Sequence, residues 1–212
     1  MQNPSSCDVV VAKHRHRIVR ALFGSLLQSA RFQHSVFDQG RYLKAINTTW
    51  EYIDSSSIGM VGKFDEDAFV WSLHRLIVAV RSAAKANNGF IELATIFDRI
   101  ANDVKATRDM REHIDDYEAH HGRQQSDFVH TKNFADYGPI SADASWQIIV
   151  GKEFFLGNRL NFWEAERALF SILATICRRA DFLDAVPGLR QFSQRVDWDN
   201  FDQLLTFVGS ND

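Results

Sequence analysis

The amino-acid sequence predicts a mainly α-helical fold, a bundle of about five helices with a small β-hairpin insertion. Three observations carry that prediction. Prolines stand only at positions 4, 139 and 187, so the chain from 5 to 138 holds no residue that must break a helical ladder. Apolar residues recur at threes and fours through most of that stretch, the spacing of one helix face. After Gly122 the pattern turns polar and rich in turn residues, then gives way to a short apolar run that fits strands better than helices. With 212 residues, 45% of them hydrophobic and 24% charged, the chain reads as a single helical domain, 1–212, with 125–160 as a loop and β insertion within it.

The first helix is expected from Val9 to about Gln33, with Val11, Ile18, Leu22, Leu26 and Ala30 on its buried stripe. A second fits Asp38 to Tyr52, carried by Tyr42, Leu43, Ile46 and Trp50. The following SSSIGMVGK, residues 55–63, reads as a loop because serine and glycine dominate it. A third helix opens near Asp65, where Asp65, Glu66 and Asp67 suit the positive end of a helix dipole. Its stripe is Phe69, Leu73, Leu76, Ile77, Val80 and Ala84, and ANNG at 86–89 ends it. A fourth, long helix runs from Phe90 to about His120 on a seam of Leu93, Ile96, Phe97, Ile100 and Val104. The stretch GRQQSDFVHTKNFADYGPISADAS, from Gly122, reads as a polar loop, and short strands follow around Val150–Lys152. A fifth helix, from Asn161 to about Leu183, carries Ala165, Leu169, Ile172, Leu173 and Ile176. Pro187-Gly188 breaks it, and a short terminal helix is expected over Asp199–Val208.

Several function classes fall away at this point. A net charge of −3 excludes a protein that coats nucleic acid through overall positive charge, although a local basic groove is a separate matter. Cys7 and Cys177 lie far apart, one in a terminal segment and one in an apolar helical run, so no bridge is expected. The first twenty residues lack a long apolar core, and no stretch approaches the length of a membrane span. A cytoplasmic protein with no membrane partner is expected. No Gly-rich phosphate loop follows a strand, and GKEFFLGN lacks Walker spacing.

The segment ATRDMREHIDDYEAHHGR, residues 106–123, concentrates three arginines, five carboxylates and three histidines. Four-residue spacings set Asp109 beside His113, His113 beside Tyr117, and Asp116 beside His120. A carboxylate one turn from a histidine can fix its tautomer and suit it to proton transfer near neutral pH. Helical projection puts Arg111 in the middle of the apolar seam, so Arg111 is expected to be partly buried and paired with a carboxylate. Asp109 and His113 fall nearly opposite, toward a groove or partner. Arg108 and His113 are separated by about 140° and about 7.5 Å on a straight helix. They converge on one ligand only if the arginine arm wraps round, or if a second copy of the helix supplies the other half across a two-fold axis.

RDMREH, Arg108 to His113, resembles the R-x4-H signature of the HEPN superfamily, set late in a helical bundle as in that family. The resemblance covers this motif and its helical context. Asp109 stands where the family often has Asn. What the resemblance implies is metal-independent RNA cleavage by a homodimer, with Arg108, Asp109 and His113 as the catalytic residues carried over. The histidine would handle protons as the ribose 2′-OH attacks phosphorus, and the arginine would stabilise the phosphoryl oxygens. A toxin–antitoxin setting, with an antitoxin or other protein partner, belongs to the same implication.

The basic turn KHRHR reads first as an exposed basic turn, although Lys13, Arg15 and Arg17 could also dock RNA phosphates. No cofactor and no metal site are expected. Glu118 and His121 have the E-x-x-H spacing of di-iron bundles, but no second such pair exists in the chain. Trp50, Trp71, Phe97, Phe154, Phe155 and Trp163 read as core or interface anchors. Two functions follow: an RNA-cleaving or RNA-binding HEPN-like protein, or a non-catalytic helical module that docks another protein.

Overall fold

The computed structural model describes residues 6–47, 55–150 and 153–198, with side chains over 8–35, 63–150 and 153–198. The fold is mainly α-helical, with more helices than five and two small antiparallel sheets among the described residues. Two long helices form the frame, α1 over Ser6–Asn47 and α2 over Ser55–Ala86. They run antiparallel. The Phe32 ring lies stacked 6.3 Å from Phe69, and Ser35 donates to Asp65. The first two predicted helices are therefore one, as far as the second is described, because neither proline nor a paired glycine interrupts them. The predicted loop 55–63 is likewise the first turns of α2. Extending a formed helix gains a hydrogen bond for each residue fixed, and this overrides the weak local preference of serine and glycine.

The predicted fourth helix is broken into pieces. A 3-10 turn at Asn88–Phe90, capped by the Asn87 side chain, leads into α3 (Ile91–Thr95), then α4 (Ala101–Glu112) and α5 (Ile114–Glu118). Between α3 and α4 the amides of Phe97, Asp98 and Ile100 bond three residues back, a tighter winding that keeps Leu93, Phe97, Ile100 and Val104 all buried. A short α6 (Gln125–Phe128) follows.

The polar stretch predicted as loop instead forms a hairpin, β1 (Val129–Phe134) with β2 (Gly138–Asp143). Its side chains alternate between exposed and half-buried, with a Thr131–Ser141 hydroxyl pair across the strands. Such strands need no apolar alternation to form. The strands predicted around residue 150 are β3 (Gln147–Val150) and β4 (Glu153–Leu156), joined to β5 (Leu160–Asn161). Asn158, fully buried at φ 52, donates from Nδ2 to the carbonyls of His130 (2.7 Å) and Ile140 (2.9 Å), tying one sheet to the other. Gly157 precedes it at φ +62, against the backbone of Ala144, where a side chain has neither the conformation nor the room.

Asn161 caps α7 (Phe162–Cys177) by accepting from the amides of Trp163 and Glu164. The predicted fifth helix ends at Cys177, and α8 (Ala180–Ala185) is separate from it. Pro187 starts α9 (Pro187–Ser193) in the first turn, where its missing N–H is harmless. The expected terminal helix at 199–208 lies outside the described residues.

The main core joins α1, α2, α4 and α7 through Ile18, Leu22, Phe69, Leu73, Val104, Leu169 and Ile172, all 0% exposed. Phe32, Phe69, Phe154 and Phe162 form one ring cluster at its centre, with centroids 5.2–6.3 Å apart. Among the described residues no helix is long and apolar enough to cross a membrane.

Candidate functional site

The end of α4 is held from two sides. On its inner face the Arg111 side chain is paired with carboxylates as the sequence projection expects and is more fully buried than expected, held by Glu66 and Asp67 of α2 and donating from Nε to the carbonyl of Ala144. This anchors the helix against both α2 and the segment between β2 and β3.

Arg108, one turn earlier, is fixed by three partners. Its Nη1 donates to Asp109 Oδ1 at 2.7 Å, its Nη2 pairs with Glu112 Oε2 at 2.8 Å, and its guanidinium lies 4.3 Å from the centre of the Trp71 ring. Asp109 also accepts from Lys105 Nζ at 2.8 Å. Partial burial pushes the Asp109 carboxyl up, but the Lys105 and Arg108 bonds outweigh it and hold the group below the ordinary range. Asp109 is thus a neutralised carboxylate, tied to arginine and not to His113.

Helix α4 stops at His113, whose backbone (φ −122, ψ 34) leaves helical geometry. The straight-helix projection therefore ends at this residue. The imidazole is 60% exposed, with Nδ1 3.8 Å from Asp116 Oδ2. The chain then doubles back after Tyr117. His120 takes a left-handed turn (φ 61), and the His121 amide donates to the Asp116 carbonyl at 2.8 Å. Tyr117, 4% exposed and stacked 5.2 Å from Phe128, supports the returning loop. Its hydroxyl accepts from the Gln124 amide, and its carbonyl accepts from the Gln125 side chain.

The result is an open cleft of about 510 Å³ lined by Arg108, Asp109 and His113 together with Lys105, His121 and Arg123. The three predicted catalytic residues therefore share one cleft within a single chain. Lys105, His121 and Arg123 were not foreseen there. The dense charge after residue 104 was their signal, but the loop that returns them was not legible. The cleft mixes charges, with Lys105, Arg108 and Arg123 against Asp109 and Asp116 beside two exposed imidazoles.

The basic turn divides. Arg15 is engaged, its Nη2 2.8 Å from Asp181 of α8, which also takes Arg179. Lys13 and Arg17 are exposed. Of the expected aromatic anchors, Phe97, Phe154 and Phe155 are buried, Trp71 and Trp163 are partly exposed, and Trp50 lies outside the described residues. Among the described residues no three metal-ligating side chains gather as a set. No family model matches the chain, and no curated protein or solved structure matches it either.

Proposed function

We propose that the protein is a HEPN-like RNA-cleaving or RNA-binding protein, metal-independent, with a site shared across a homodimer. The observation that carries this reading is that Arg108 and His113 line one open cleft. An RNA phosphodiester in that cleft would lie between a guanidinium and an imidazole. His113 would accept the ribose 2′-OH proton as the 2′-oxygen bonds to phosphorus. The bond from phosphorus to the 5′-oxygen would break, with that oxygen taking a proton from a second imidazole. His121, in the same cleft, or His113 of a second copy could supply it. Arg108 would bear on the phosphoryl oxygens as charge builds there, while Lys105 neutralises Asp109. A two-fold related copy would bring a second Arg108–His113 pair to the site.

The test is cleavage of varied single-stranded RNAs in excess chelator by the full chain and by Arg108→Ala and His113→Ala. Each variant should lose about a hundredfold or more in rate while remaining folded by circular dichroism. Light scattering should report a dimer. If the unaltered protein leaves all RNAs intact, the cleavage reading fails. The alternative, a non-catalytic protein-interaction module, is supported by apolar side chains exposed on and beside the sheets, Tyr137 at 63%, Trp146 at 62% and Ile149 at 65%.

A further inference from the structure

A second groove runs between α1 and α2. Arg17, Arg20 and Gly24 recur at threes and fours on one stripe of α1, and Trp71, Arg75 and Val78 do so on α2. Because the two helices are antiparallel, these stripes face each other across a trough of about 600 Å³. Arg17, Arg20, Trp71, His74, Arg75 and Arg108 line it, and no carboxylate does. A Cβ at Gly24 would meet nothing within 4 Å, so glycine leaves the trough open there.

Arg15, Arg108, Arg111, Arg179 and Arg190 each have a carboxylate partner. Arg17, Arg20 and Arg75 are exposed, and no ion pair forms to them among the described residues. Guanidinium groups concentrated in one concave site without counter-charge raise the local concentration of anions and favour a multiply charged ligand. Trp71 carries the Arg108 guanidinium on its ring and still leaves 37% of its surface exposed beside them. Arg108 lines this trough and the His113 cleft alike, so the two adjoin at that residue.

We infer that the α1–α2 trough is a track for a single-stranded polynucleotide, its phosphates on Arg17, Arg20 and Arg75 and a base against Trp71. Arg108 passes the strand to the His113 cleft. Arginine forks match phosphate oxygens and an indole stacks on any base, the combination that sequence-tolerant strand binders use. A concave trough between two helices admits a flexible strand, whereas a membrane surface cannot enter it. That the strand is a substrate rests on the reading above; that it binds does not.

The experiment is fluorescence anisotropy of a labelled single-stranded deoxyoligonucleotide, which lacks the 2′-OH and cannot be cut by the chemistry above. The full chain should bind with affinity falling as salt rises, at a log–log slope of about −2 for three phosphate contacts. Arg17→Ala/Arg20→Ala/Arg75→Ala should weaken binding roughly tenfold or more and flatten that slope. Gly24→Leu should fill the trough and weaken binding, with no fall in melting temperature. No binding, or binding indifferent to both variants, overturns the inference. So does competition by polyglutamate as effective as by unlabelled oligonucleotide, which points to an acidic protein partner. Binding by a chain that leaves RNA uncut keeps the track and removes the nuclease; RNA cleavage with binding indifferent to the variants does the reverse.

Discussion

Arg111 of α4 and Glu66 of α2 form an ion pair that solvent scarcely reaches, their side chains 4% and 0% exposed. Each has further partners. Arg111 donates to Asp67 at 3.0 Å and to the Ala144 carbonyl at 2.9 Å, and Glu66 accepts from Gln147 of β3. The network fastens the β insertion and the end of α4 to the frame, and so holds the helix end that lines the cleft.

Removing Arg111 alone should therefore be severe. Arg111→Ala leaves the Glu66 charge in the interior with one amide donor, and the loss expected is about 3–5 kcal/mol. Replacing both partners with apolar residues, Arg111→Met with Glu66→Leu, should recover much of that loss, because no uncompensated charge remains. Urea unfolding of the single and double variants checks both expectations.

Arg111 also marks how far the sequence could be read. Its place in the apolar seam of Leu93, Phe97, Ile100 and Val104 was enough to bury it, because helical phase survives the local 3-10 turns. The buried stripes of α2 and α7 were legible for the same reason. The end of α4 at His113 was not. Its sequence neighbours are ordinary helix formers, and the loop beyond it is held by Tyr117 packing on Phe128 and by hydrogen bonds from Gln124 and Gln125. The β1–β2 hairpin escaped because its strands alternate between exposed and half-buried without an apolar pattern and are held by Asn158, a contact between residues far apart in the chain. The trough between α1 and α2 needed the two stripes to be set face to face, which neither stripe reveals alone.

Gly122 closes the loop that walls the cleft, and a Cβ there would collide with the Tyr117 ring. The ring cannot yield freely, being 4% exposed and stacked on Phe128. Gly122→Ala should cost about 1–3 kcal/mol through this overpacking, and should depress any RNA cleavage more than a surface change of similar size. Gly188→Ala, where a Cβ meets nothing within 4 Å, is the matched control. Thermal melts and cleavage rates of the two variants separate the outcomes.

Cys177 sits in the core at the end of α7, 3% exposed, and burial pushes its thiol up to about 11. Only the thiolate is a nucleophile, so alkylation of Cys177 in the folded protein should be slow at neutral pH. It should accelerate sharply in denaturant. Mass mapping of iodoacetamide adducts at Cys177, with and without urea, measures the ratio directly. Rapid modification of the folded chain would contradict this packing.

Glu166 of α7 is a buried carboxyl, 8% exposed, that accepts from Ser29 and Gln33 of α1. Burial pushes its pKa up, and the two donors pull it down by less. The folded chain therefore holds a proton there at a pH where the unfolded chain has released it. At neutral pH and above, the folded state carries the desolvation penalty of the ionised form; as pH falls through the raised value the penalty disappears and stability rises. Glu166→Gln keeps an oxygen for Ser29 and Gln33 without the charge, so it should melt higher than the natural chain near pH 8. The gap should close on going down to about pH 5. Glu166→Leu strands both donors and should lose about 1–3 kcal/mol at every pH. Melting temperatures of the three chains across that range test the sign: a gap that widens toward acid would mean the folded state holds Glu166 ionised more readily than the unfolded chain does.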